Sequence, residues 1–188
     1  MKYITLHWSA GSHKAGKLDR KHYHYCVEGD GTIKSGDFKP EDNEECTPGT
    51  YAAHTRGANT GNISVSLCAM HGAKERPFDP GKYPITEKQL DAAVALMADL
   101  VISHGIPVTR QNVLSHAEWE PTNGVKQRGK WDVSWIPGMD KPGDPVAVGD
   151  EIRARIKAAM APPKPAKKPG LLATLIDLIA SFFRKEKR

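Results

Sequence analysis

Hydrophobic and polar positions along the chain fall into segments of two different periods. Residues 2–8 (KYITLHW) are dense in β-branched and aromatic side chains and stop at a Ser-Ala-Gly-Ser turn, which predicts a buried strand with His7 at its C-terminal end. Residues 22–27 and 32–34 flank Gly29, Asp30 and Gly31, a turn sequence that tolerates positive φ, and predict a hairpin. Residues 62–70 alternate and then turn apolar, as a core strand does. The period lengthens over residues 86–103, where Leu90, Val94, Met97 and Val101 recur at helical spacing. Thr86 stands as N-cap, Gln89 holds the capping-box position, and His104 and Gly105 close the helix. A short strand is expected at 112–115, leading into His116, and a second helix at 147–160. Between them, 35–61 is rich in Gly, Pro, Asn and acids and predicts a long surface loop, while 117–145, rich in Trp, Pro and Gly, predicts an irregular stretch.

Strands alternating with helices at these intervals predict an α/β fold, a single domain with a central mixed β-sheet flanked by helices, over residues 1–160. The 188 residues suffice for one such core plus an appendage, and no internal repeat is visible. The appendage begins with APPKPAKKP at 161–169, a Pro- and Lys-rich linker too polar to join a core. Residues 170–188 then place Leu171, Leu175, Ile179, Phe182 and Phe183 on one broad helical arc with Asp177 opposite, followed by Arg184 and Lys185. The apolar run falls short of the ~20 residues that a bilayer span needs, so an amphipathic helix lying in an anionic membrane surface is expected. Docking on the body, self-association or a tail anchor are the alternatives.

Charge sharpens this division. Residues 1–160 carry 20 Lys and Arg against 20 Asp and Glu, so the net charge of +5 resides in residues 161–188. A neutral body argues against nucleic acid as a partner, because that ligand calls for a basic stripe on the folded domain. Cys26, Cys46 and Cys68 fit neither a disulfide framework nor a CxxC metal site and read as reduced thiols. The N-terminus runs straight into the first strand with no apolar leader, which predicts synthesis in the cytoplasm without a signal peptide.

Three segments end in residues able to hold a metal ion: His7, His116 in LSHAEW and Asp132 in GKWDVSW. Two imidazoles and a carboxylate leave one tetrahedral position open, the pattern of a catalytic zinc site, although eight histidines and 22 acids allow such a trio by chance.

The ordered motifs ITLHWSAG, YHYCVEGDGTI, AAHTRGANTGNISVSL, HGIP, VLSHAEW and GKWD resemble the zinc-dependent N-acetylmuramoyl-L-alanine amidases, the family of phage lysozyme-like amidases and peptidoglycan recognition proteins. The resemblance covers roughly residues 3–135. It implies that His7, His116 and Asp132 bind Zn2+, that Tyr23 lies beside the zinc water, and that Lys130 faces the scissile carbonyl. Some bacterial members carry a glutamate base on the strand that here offers Ser66, which favours a Tyr and Lys mechanism, and Trp8 replaces a second histidine.

His54, Arg56 and Asn59 are candidates for substrate contact or, alternatively, for holding their own loop. His22 and His24 could form a metal pair on a strand, but a core hydrogen bond is the better expectation for His24. Cys68 reads as a small core residue. Trp119, Trp131 and Trp135 either pack the irregular stretch or offer a face to sugar rings. The expected function is an endolysin that cuts between N-acetylmuramic acid and L-alanine of peptidoglycan, acting on the wall in the periplasm once the membrane is permeabilised. A muropeptide-recycling amidase and a non-catalytic peptidoglycan-binding module are the alternatives.

Overall fold

The computed structural model describes residues 1–161. The linker beyond Ala161 and the amphipathic segment 170–188 lie outside the described residues. In chain order the elements are β1 (Tyr3–Trp8), α1 (Lys17–His22), β2 (Tyr25–Val27), β3 (Ile33–Ser35), β4 (Asn62–Leu67), α2 (Glu87–His104), β5 (Val113–Ser115), α3 (Trp119–Asn123) and α4 (Pro145–Met160), with 3-10 turns at Pro40–Asn43 and His116–Glu118. Five strands form one mixed sheet in the order β3-β2-β4-β1-β5, in which β3 alone runs antiparallel to its neighbour. The mixed α/β sheet expected from the strand and helix pattern is the observed architecture. No helix among the described residues is long and apolar enough to cross a membrane.

Period-two alternation gives the sheet two different faces. Ile4, Leu6 and Trp8 of β1 and Ile63, Val65 and Leu67 of β4 join one hydrophobic core with Leu90, Met97 and Val101 of α2 and Val148, Ile152 and Ile156 of α4. Each large aliphatic side chain so buried contributes about 1.5–3 kcal/mol. The alternate residues Thr5, His7, Asn62, Ser64 and Ser66 are polar, yet they too are wholly buried, because loops cover that face.

Helix α2 starts as its sequence predicts. Thr86 Oγ1 accepts from the Gln89 backbone, and the Gln89 side chain returns to the Thr86 backbone. Gln89 also donates its side-chain amide to the carbonyls of Val27 and Cys68, tying the helix start to the ends of β2 and β4. Helix α4 begins two residues earlier than expected, since Asp144 caps the Ala147 N–H and Pro145 occupies the first turn, where a missing N–H is harmless.

Other departures have physical reasons. Helix α1 buries no residue, and Leu18 is 68% exposed, so it leaves no apolar stripe to read. As a result His22 closes a helix instead of opening the hairpin strand, which starts at Tyr25. The 35–61 segment is more than a surface loop. Asn43 is wholly buried within it, donating to the carbonyls of Ala52 and Asn59 while its Oδ1 accepts from Ala52 and faces His24 Nε2. Within the irregular 117–145 stretch, Trp119–Asn123 forms the short helix α3.

One buried ion pair fastens α4 to the segment that follows β5. Arg153, 4% exposed, sits 2.8 Å from Glu118, off the hydrogen-bond line, and also donates to the Val113 carbonyl. Burial raises the Glu118 carboxyl, and Arg153 with the Ser115 N–H only partly offsets this. The Glu118 carboxylate lies against the backbone of Gly149, where a methyl group would overlap it. Removing one partner of such a pair strands the other charge. Arg153→Met should therefore cost about 3–5 kcal/mol in urea unfolding, and adding Glu118→Gln should recover part of that loss. A double variant as unstable as the sum of the two singles would show that the pair is not coupled.

Candidate active site

His7 is the penultimate residue of β1, and His116 follows directly after β5. These two strands pair in parallel with Leu6 opposite Ser115, so the next residue on each brings the two imidazoles together. Asp132 arrives from the irregular stretch, its carbonyl accepting from the Ala117 N–H beside His116. The three donor atoms form a closed triangle: His7 Nδ1 to His116 Nδ1 3.0 Å, His116 Nδ1 to Asp132 Oδ2 2.9 Å, and His7 Nδ1 to Asp132 Oδ2 3.3 Å. Ligands roughly 2.1 Å from a tetrahedral zinc ion stand roughly 3.4 Å apart, so this triangle is slightly tighter than one face of such a site. Among the described residues this trio, buried throughout, is the group of His, Cys, Asp and Glu able to hold a metal ion.

Electrostatics keep His7 and Asp132 in the protonation states that ligation requires. Burial lowers the pKa of His7 to about 4 against the opposing pull of Asp132, leaving a neutral ring at neutral pH. Burial works to raise Asp132, but the His116 and His7 imidazoles, 2.9 and 3.3 Å from its Oδ2, outweigh it and hold the carboxyl well below the usual range.

The triangle opens onto a cavity of about 320 Å³ lined by Tyr23, His54, Arg56, Gln127, Arg128 and Lys130, with Trp8, Ser9 and Ala10 at its edge. Asp132 is the lone carboxylate of this lining, against three cations. Tyr23 packs on His7 with ring centroids 5.1 Å apart, and burial together with the charge of Asp132 raises its hydroxyl far above the ordinary range, so it stays protonated. A larger hollow of about 770 Å³ is lined by Tyr3, Tyr51, Asn59, Asn112 and Trp119. It holds none of the three donors, so chemistry and not volume selects the smaller one.

Of the other candidates, His54 and Arg56 line the cavity, whereas Asn59 faces the larger hollow, and its Oδ1 accepts from the backbones of His54 and Thr55. His22 and His24 do not converge: His22 meets the Ala53 carbonyl, and His24 is buried between Ser64 and Asn43. Ser66 stands opposite His7 in the β1–β4 register, wholly buried and without a carboxylate. Cys68 is wholly buried, with the neighbouring Cys26 thiol and burial raising its pKa. The tryptophans pack: Trp119 donates to Thr5, Trp135 donates to the Met139 carbonyl, and Trp131 meets Trp8 edge-on at 4.6 Å. Gln127 and Arg128 were not apparent from the sequence, since VKQRGK carries no spacing that marks them. Around the site the backbone is strained, with Ala10 (φ 55°), Arg128 (φ 57°) and Val133 (φ 65°) all left-handed.

The chain belongs to the N-acetylmuramoyl-L-alanine amidase family, whose profile matches residues 1–138, a span that includes all three donors. The fold is similar to that of the Staphylococcus aureus hydrolase AmiA in complex with its ligand, at 12% identity and a TM-score of 0.53, covering 87% of this chain and 77% of that one. Similarity is also found to the N-acetylmuramoyl-L-alanine amidase LysC from Clostridium intestinale, at 18% identity and a TM-score of 0.47, covering 83% of this chain and 85% of that one. No curated protein sequence matches the chain.

His24 supplies a test of the buried polar layer away from the donors. Burial lowers its pKa from 6.5 to about 4. As the pH falls from about 6.5 the unfolded chain takes up this proton before the folded one does, so stability present above that pH is lost progressively down to about 4. The denaturation midpoint of the metal-free protein should therefore fall between pH 7 and pH 4.5, with the His24 imidazole titrating near pH 4 by NMR. An ordinary imidazole titration for His24 would contradict this account.

Proposed function

We propose that the chain is a zinc-dependent peptidoglycan amidase, cutting the bond between N-acetylmuramic acid and L-alanine, and that it works as an endolysin. The observation that carries this reading is the triangle of His7 Nδ1, His116 Nδ1 and Asp132 Oδ2 at the floor of an open, cationic cavity. Its donor set, two imidazole nitrogens and a carboxylate, suits zinc, and three protein ligands leave a position for water. When bound, zinc lowers the pKa of water towards neutrality and polarises an amide carbonyl.

The chain's own groups fit the remaining tasks. Lys130, exposed at the cavity, can hold the negative charge that builds on the carbonyl oxygen during attack. Tyr23 keeps its proton, so it orients water or donates to the departing nitrogen and does not act as a base. Arg56 and Arg128 extend a positive surface along which the carboxylates of a stem peptide can lie. With Ser66 beside His7, no glutamate stands ready there as a base, which supports the Tyr and Lys assignment. The endolysin role, as against recycling of soluble fragments, is supported by the basic amphipathic sequence at 170–188, a segment suited to an anionic membrane surface.

Purified sacculi digested by the wild type should release stem peptides without new reducing ends, while His116→Ala should lose both zinc and activity. Lys130→Ala should keep its zinc and lose about 10²–10³-fold in kcat. Intact sacculi in the presence of bound zinc would turn the reading to a recycling enzyme, and absence of bound zinc to a binding module. For the tail, a chain ending at Met160 should lose binding to anionic vesicles; equal binding by both forms would remove the membrane role.

A further inference from the structure

Three electron-pair donors meet at the candidate site, and the hydrogen-bond partners on the far side of each ring determine which nitrogen is free to take part. Gln127 is 4% exposed, and its side-chain nitrogen lies 3.0 Å from the Arg56 carbonyl and 3.2 Å from the Val125 carbonyl. An NH2 group alone donates to two carbonyls, so the opposite atom of the amide, 2.9 Å from His116 Nε2, is the oxygen. His116 Nε2 must therefore carry a proton.

The same logic applies to His7 through a second imidazole. His54 Nε2 lies 3.2 Å from the Asn62 carbonyl, which accepts and cannot donate, so this nitrogen bears the proton of the neutral His54 ring. His54 Nδ1 is then a bare lone pair, and it faces His7 Nε2 at 3.2 Å. The Thr55 hydroxyl lies 2.8 Å from His54 Nδ1 and 3.5 Å from His7 Nε2, where its oxygen accepts from the same side. His7 Nε2 thus carries a proton as well. With each ring's proton on Nε2, the two Nδ1 lone pairs lie 3.0 Å apart and face Asp132 Oδ2.

We propose that His54 and Gln127 are positioning residues that hold His7 and His116 in the Nε2–H tautomer, so that both Nδ1 lone pairs and Asp132 Oδ2 converge on one cation. Neither touches the reacting atoms. Both act through a ligand, orienting the ring and raising its basicity by accepting its outer proton. The consequence for zinc affinity rests on the reading above, whereas the tautomers do not. This role for His54 stands beside the two expected from the sequence, substrate contact and holding its own loop.

The test uses the full chain. In zinc-free, ¹⁵N-labelled protein at pH 8, long-range imidazole spectra should show protonated Nε2 and bare Nδ1 for both His7 and His116. His54→Ala should release His7 from this single tautomer and leave His116 unchanged, and Gln127→Met should do the reverse. Zinc affinity, measured by competition with a chromophoric chelator, should fall about 10–100-fold in each. His54→Asn, whose side-chain oxygen can stand near the position of His54 Nδ1, should restore affinity to within several-fold of wild type. Amide spectra check that each variant is folded. Nδ1–H tautomers in the wild type, or unchanged tautomers and affinity in both variants, would overturn the proposal. A wild type that binds no zinc yet shows the expected tautomers would instead count against the amidase reading alone.

Discussion

Everything at the candidate site depends on one pairing register. β1 lies between β4 and β5, parallel to both, with Leu6 opposite Val65 on one side and Ser115 on the other. That register sets His7 beside Ser66 and one step along from Ser115, where the chain turns and presents His116. A slip of one residue in β1 would send its side chains to the opposite faces, burying His7 among the helices and turning Leu6 towards the loops. Parallel strands also need long crossovers, and α2 is the one between β4 and β5. Its start is held by Gln89, which reaches the carbonyls of Val27 and Cys68 at the same end of the sheet as His7.

The polar face of the sheet shows how such precision is sustained. Trp119 donates to Thr5, Thr5 donates to Asn62, and the Asn62 carbonyl receives His54, so the hydrogen bonds run without a break from a core indole to the imidazole beside His7. A parallel arrangement joins Ser64, His24 and Asn43 and pins the 35–61 segment over the sheet. Buried polar groups are expensive unless every partner is present, so a layer of this kind tolerates few alternative arrangements. Its benefit is geometric definition more than net stability.

Legibility in the sequence followed the strength of the local pattern. β1, β4 and α2 carry clear alternation or helical spacing, and α2 has both halves of its capping box, so β1 and α2 were readable to within one residue, while β4 begins at Asn62 as expected and ends three residues early, at Leu67. Helix α1 was not, because a helix that buries nothing has no hydrophobic stripe. His7 and His116 were visible at the ends of predicted strands, Asp132 stood within the irregular stretch, and all three gained weight from the ordered motifs around them. Gln127 and the contact of His54 with His7 were not readable, since their roles arise from chain segments 71 and 47 residues apart that only the folded topology joins. Asn43 was hidden for the same reason, inside a stretch whose composition looks like solvent-exposed loop.

Val133, directly after Asp132, is wholly buried and holds a left-handed backbone that a β-branched residue adopts only under strain. A glycine there would relieve roughly 1–3 kcal/mol of conformational cost, but it would also give up a core side chain and free the backbone that aims the carboxylate. Burial of the valine side chain, worth about 1.5–3 kcal/mol, thus offsets the strain and keeps one oxygen atom aimed. Position 133 therefore joins core to carboxylate, so a smaller side chain there would loosen both together.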